Sequence, residues 1–258
     1  MMTTAAGAPA LTAYHGDAAL KAAIIGELED HVAHDRLVKG QYWERGKGCA
    51  VGCTIKSNNH AEYEPRFGIP IMLAQLEDAI FESLPNVDAM AWPIRFMAAA
   101  PVDADLSLIG WQFLDRMLRR AFGRIKARDQ IHADCAPALA VIARMARGEA
   151  VTKTNAASAI SAAEIAWEAA ATRPDRAAPA TAMIALSSAQ SAAEIKRHPA
   201  ESARSAAYSS SWSGKASAAD CVTGSANKKA ARAAEYRQQA DDLCELMALA
   251  PVANRAGA

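Results

Sequence analysis

Hydrophobic positions recur with the period of a helix along almost the whole chain. Leu20, Ile24, Leu28 and Val32 draw one stripe, with Asp17 placed to cap its start and Gly40 to follow its end, so a first helix is predicted over 17–40. Ile69-Pro70 opens a second stretch whose Leu73, Leu76, Ile80 and Leu84 share a face, and Pro85 ends it. Trp92-Pro93 reads as the start of a short helix. Asp105 or Ser107 reads as the cap of a longer one carrying Leu106, Ile109, Phe113 and Met117. A further helix is expected from near Asp129 to Gly148, with Pro137 either near its start or kinking it. No stretch alternates convincingly enough to be a strand, and the expected fold class is all-α.

After about Thr152 alanine and serine dominate and large aliphatic residues thin out. Segments near 155–171, 178–196, 200–213 and 226–248 are separated by Arg173-Pro174-Asp175, His198-Pro199 and Gly214/Gly224, all helix-ending chemistries. Alanine favours helix strongly, yet its methyl buries little area, so such helices must pack with close backbones. The expected larger knobs are Trp167, Met183, Ile184, Leu186, Ile195, Tyr208 and Trp212, with Tyr236, Leu243, Leu246 and Met247 docking the last helix. The predicted organisation is a helical domain over 14–150 and an antiparallel alanine-rich helical array over 151–250. Residues 1–13 and 251–258 are expected to be disordered.

Charge changes this picture little. The 258 residues carry 28 basic and 28 acidic side chains, which argues against nucleic acid or an anionic membrane as a partner. The balance is uneven locally: residues 1–100 hold 8 basic and 12 acidic groups, and the acidic first part is expected to pair with the basic middle. Residues 1–16 lack the basic and apolar regions of a secretory signal, and no apolar run approaches the roughly 18 residues that span a bilayer. Five cysteines, an odd number, suit reduced thiols, and a cytoplasmic protein is expected.

Gly46-Lys47-Gly48-Cys49-Ala50-Val51-Gly52-Cys53, closed by His60, is the most chemically specific stretch. If Gly46-Lys47-Gly48 opens a helix, Cys49 and Cys53 face one side and can share a metal. Zinc then needs further ligands, for which His60 is the nearest in sequence and His31, His132 or Cys135 would have to be brought by the fold. Alternatively, Cys49 at a helix N-terminus beside Lys47 becomes a reactive thiolate. As a third reading, the glycines allow close packing and both cysteines are small buried hydrophobes. A phosphate-binding P-loop is excluded by spacing, by the missing hydroxyl and by the preceding helix. An anion-binding nest around Gly46 to Gly48 remains open.

His31 and Asp35, four apart, fall inside the first apolar stripe, where a carboxylate would orient an imidazole as it does in general bases. Cys49, His31 and Asp35 are therefore the candidate catalytic set, and Cys49, Cys53 and His60 the candidate metal ligands. Tyr42, Trp43 and Lys47 are candidates for lining a ligand pocket. Arg116, Arg120, Arg124 and Arg128 form a basic ladder that either binds phosphates or pairs internally. His132 and Cys135 can meet on their helix.

The order Tyr42-Trp43, Gly46 to Cys53, His60, Tyr63-Glu64, Gly68-Ile69-Pro70, Leu76-Glu77-Asp78, Phe81-Glu82, Leu84-Pro85 resembles a group of uncharacterised bacterial and prophage-borne proteins that also end in alanine-rich helices. The resemblance covers about residues 14–115 and implies no activity. The alanine-rich part is loosely similar to immunity proteins of bacterial toxin systems. Two functions are carried forward. One is a non-enzymatic protein, of phage-accessory or immunity type, that binds another protein and needs no cofactor. The other is a metal- or thiol-dependent enzyme, with zinc the candidate metal, whose pocket lies between the first helix and the Cys49–Cys53 segment.

Overall fold

A computed structural model describes residues 11–126, 129–172, 177–194, 201 and 224–252. In chain order its elements are α1 (Ala18–Ala33), the strands β1 (Trp43–Glu44) and β2 (Lys47–Gly48), α2 (Ala50–Ile55), α3 (Tyr63–Phe67), α4 (Ile71–Ser83) and α5 (Asn86–Ala99). They continue as α6 (Ile109–Phe122), α7 (Gln130–Ala146), α8 (Lys153–Ala171), α9 (Ala177–Ala193) and α10 (Gly224–Ala248). The class is all-α, and the only sheet among the described residues is the two-stranded β1–β2 ribbon.

Asp17 caps α1 as its residue type predicts, accepting from the amides of Ala19 at 2.7 Å and Leu20 at 3.2 Å. The helix nevertheless ends at Ala33 and not near Gly40, because Asp35 turns left-handed at φ +51°. Aspartate tolerates that conformation better than most residues, and the chain then runs extended beside Gly48: Gly48 donates to the Arg36 carbonyl at 3.0 Å and Val38 to the Gly48 carbonyl at 2.8 Å. Trp92 and Pro93 sit in the middle of α5 rather than at a start, with Trp92 fully buried and its indole N–H donating to the Glu77 carbonyl at 3.0 Å. Pro137 lies inside α7.

One contiguous apolar core holds residues from Ala13 to Ala250 and includes both sides of the predicted boundary near residue 150. Ala13, expected to be disordered, is fully buried and pairs by backbone with Asp103 and Ala104. Pro251, also expected to be disordered, accepts from the Asp105 amide at 2.8 Å, so segments near both ends are stitched to the α5–α6 connection. Residues 1–10 and 253–258 lie outside the described residues.

The alanine-rich helices pack through alanine itself. Ala156, Ala159, Ala163, Ala166 and Ala170 form the buried stripe of α8, and Ala178, Ala182, Ala185 and Ala189 that of α9. Of the expected knobs only Ile184 is fully buried; Trp167, Met183 and Leu186 are half-buried, and Ile195, Tyr208 and Trp212 fall outside the described residues. Small side chains let the backbones of such helices approach closely. The 200–213 segment also lies outside the described residues, apart from the single residue 201.

On α10, Tyr236, Leu243 and Met247 are buried against α4, α5 and α6, while Leu246 is half-buried. The basic ladder fastens this helix. Arg120 reaches Glu235 at 2.7 Å and also Asp242, Arg124 reaches Glu235 at 2.9 Å, and Arg116 reaches Glu245 at 2.8 Å. The ladder's partners are therefore at the end of the chain, not in the acidic first hundred residues. Arg128 lies outside the described residues.

Candidate functional site

Arg45 and Gly46 both take positive φ, at +51° and +78°, which is what the mirror-image turn of a two-residue hairpin requires. Trp43 pairs with Gly48 and Glu44 with Lys47. Lys47-Gly48 is thus a strand and does not open the helix as expected. Gly48 and Gly52 both lie against the backbone of Tyr42, and a β-carbon on them would stand 1.9 and 1.2 Å from the Tyr42 carbonyl oxygen. This close approach seats Cys49 as the N-cap of α2, its sulfur accepting from the Gly52 amide at 3.5 Å.

The two cysteines diverge. The Cys53 thiol donates to the Gly48 carbonyl at 3.4 Å, with the Arg36 carbonyl at 3.6 Å, and burial pushes its pKa up to about 11. Burial, reinforced by the Asp78 carboxylate, also pushes the Cys49 thiol up, opposite to the activation expected of a helix terminus beside Lys47. Lys47 is exposed on the hairpin. In native protein, Cys49 and Cys53 are expected to resist an alkylating reagent at pH 7 and to react fully in urea; native labelling of Cys49 as fast as a free thiol would contradict this assignment.

Cys49 instead meets two carboxylates that sequence reasoning left aside. One ligand atom each from Cys49, Asp78 and Glu82 lie within 4.8 Å of one another. Asp78 and Glu82 are four apart on α4, which puts both on one face. Glu82 is oriented by the Gly40 amide, 2.9 Å from each carboxylate oxygen, and Asp78 Oδ1 is buried with no hydrogen-bond partner among the described residues. His60 joins from the side, its Nε2 3.5 Å from Asp78 Oδ2 and its ring edge-on to Tyr42 at 5.8 Å. Of the expected metal set, Cys49 belongs to this group, His60 touches it through Asp78 alone, and Cys53 lies outside it.

Next to Asp78 in sequence, Glu77 is fully buried and accepts from the Tyr63 hydroxyl at 2.6 Å. Burial pushes its pKa up to about 8 from an ordinary 4.5, the Tyr63 hydrogen bond only partly opposing the shift. The folded state then holds a proton that the unfolded chain gives up. Stability from this group is complete below pH 4.5 and is lost as pH rises through about 8. Glu77→Gln is expected to flatten that slope and to stabilise the protein at pH 7 by up to about 3 kcal/mol. Urea midpoints between pH 5 and 8 check this, and equal slopes in both proteins would refute it. The residue was legible as an oddity, since it falls among Leu73, Leu76 and Ile80 on the apolar face of α4.

His31 and Asp35 do not pair. Asp35 has left the helix, and the carboxylate nearest to His31 Nε2 is Glu27 Oε1 at 4.0 Å, beyond hydrogen-bond range. His31 is 3% exposed, neither ring nitrogen has a hydrogen-bond partner among the described residues, and Trp43 meets its ring at 5.6 Å in an edge-to-face contact. Desolvation lowers its pKa, against the attraction of Glu27, which favours the neutral ring. It lines an open cleft of about 370 Å³ between α1 and the hairpin, which also takes in Trp43 and Lys47 of the expected pocket but not Tyr42. His132 packs on Phe122 at 4.7 Å while Cys135 is buried with its pKa raised to about 12 by burial, so this pair builds no site.

Comparison with protein-family models, with curated proteins and with solved structures returns no match. No helix among the described residues is long and apolar enough to cross a membrane.

Proposed function

We propose that this chain is a metal-binding helical protein that holds zinc through Cys49, Asp78 and Glu82, with His60 positioning Asp78. The observation that carries the reading is the approach of one sulfur and two carboxylate oxygens to within 4.8 Å at the junction of α2 and α4. Thiolate and carboxylate are both zinc donors, and an amide donating to the sulfur is the outer-sphere contact that steadies a bound thiolate. Binding displaces the Cys49 proton to solvent. Three protein donors leave a fourth coordination position, the count found in catalytic rather than structural zinc sites, and this favours the enzyme reading. The protein-binding reading rests on composition and helical architecture alone and has no comparable gathering of groups behind it.

Protein purified without chelator is expected to carry one zinc per chain by elemental analysis. Cobalt in its place should give a sulfur-to-metal band in the near ultraviolet. Cys49→Ser and Asp78→Asn should abolish the band with the helical circular dichroism retained, while Cys53→Ser leaves it in place. Failure to take up either metal, or a band that survives Cys49→Ser, would overturn the proposal.

A further inference from the structure

The cleft between α1 and the β1–β2 hairpin contains a group that the fold does not satisfy. A neutral imidazole offers one N–H donor and one acceptor, and burying both without partners costs free energy that native proteins rarely leave uncompensated. Both His31 nitrogens are buried in this way, and the residue lines a cleft open to solvent. The rest of the lining indicates which partner would suit it. Arg36, Arg45, Lys47 and Lys56 stand there against a single carboxylate, Glu27, which is already engaged by Lys56. Arg36 is shared with Asp30 at 2.8 Å and Arg45 with Glu44 at 3.6 Å, whereas no ion pair among the described residues involves Lys47. Trp43 adds a broad apolar surface beside the imidazole.

We infer that this cleft binds a small phosphate-bearing molecule. His31 donates to a phosphoryl oxygen, Lys47 balances the charge, and the organic part lies against Trp43. With Glu27, Asp30 and Glu44 answering Lys56, Arg36 and Arg45, Lys47 is the cation left over and an anion balances it, and the cleft volume is at the lower end of small-molecule sites, roughly 300 Å³ and upward. The inference does not rest on zinc. The cleft and the Cys49–Asp78–Glu82 group have no residue in common.

Calorimetric titration of the full chain with phenyl phosphate, inorganic phosphate and acetate tests it. Phenyl phosphate is expected to bind at one site, inorganic phosphate more weakly and acetate weakest. Lys47→Ala and His31→Gln should each weaken phenyl phosphate about tenfold, the worth of one charge-assisted contact. Trp43→Leu should remove the advantage of phenyl phosphate over inorganic phosphate. Cys49→Ser should leave binding unchanged, which separates this site from phosphate held on a metal. Lys47 is exposed, so its variant keeps the test decisive even if His31→Gln does not fold. Absence of saturation with all three anions, equal affinity for acetate, indifference to Lys47→Ala, or loss of binding in Cys49→Ser would each overturn the proposal.

Discussion

Gly52→Ala is expected to destabilise the protein by about 4 kcal/mol or more, among the largest effects a single methyl can have. Intrinsic propensity points the other way, since alanine in a helix is favoured over glycine by about 1 kcal/mol. The reversal comes from packing: the added carbon would stand 1.2 Å from the Tyr42 carbonyl oxygen and 2.3 Å from its carbon. Those atoms are backbone and have no rotamer through which to escape, so the chain at Tyr42 must lift from α2. Lifting it also moves Tyr42 off His60 and disturbs the Gln41 carbonyl that accepts from the Cys49 amide at 2.6 Å. Gly26→Ala on α1, where a β-carbon meets nothing within 4 Å, is the matched control and should stabilise by up to about 1 kcal/mol. Chemical denaturation of the two variants measures the contrast. Similar small effects at both positions would mean that the Tyr42 backbone does not rest on α2.

Arg120→Ala is expected to cost on the order of 2–3 kcal/mol, because two nearly buried carboxylates each lose one of their two arginines. Arg120 joins Glu235 and Asp242, whose side chains are 5% and 7% exposed, and its removal leaves Asp242 with Arg116 at 3.3 Å and Glu235 with Arg124 at 2.9 Å. Arg120 is itself 26% exposed, so water tempers the penalty and the lower end of the range is expected. The loss should appear as release of α10. Limited proteolysis should cut within 224–248 before the rest of the chain, and a double-mutant cycle with Asp242→Asn should show strong coupling. A cost below about 1 kcal/mol with additive doubles would show these charges to be solvated in the folded state.

Much of the helical reading was legible because it depends on neighbours within a few turns. Asp17, Leu28, Leu73 and Phe113 declare a cap or an apolar face by local spacing alone, and the structure uses them accordingly. The errors arise where a local signal is ambiguous. The stripe from Leu20 to Val32, with Gly40 after it, reads as one helix, yet Asp35 breaks it, and this carried Asp35 away from His31. Arg45-Gly46 closes a ribbon too short for alternation to register. Pro93 looks like a helix start because proline suits a first turn, although α5 begins seven residues earlier at Asn86.

The candidate site divides along the same line. Cys49 and His60 could be named from their residue types and their place in a glycine-rich segment. Asp78 and Glu82 could not, since two acids four apart on an amphipathic helix are also the ordinary composition of a solvated face. What distinguishes them is the packing of α2 on α4, which brings Cys49 to both acids. The sequence by itself thus determined the helical class, the cap of α1, the apolar faces and the residue types available for chemistry, because each follows from short-range periodicity and side-chain chemistry. Tertiary structure alone decided which carboxylates approach Cys49, that His31 is left without a partner beside a cationic cleft, and that the arginine ladder is answered by α10. Those pairings join residues separated by tens to more than a hundred positions, and only the packing of one helix on another sets the distance between them.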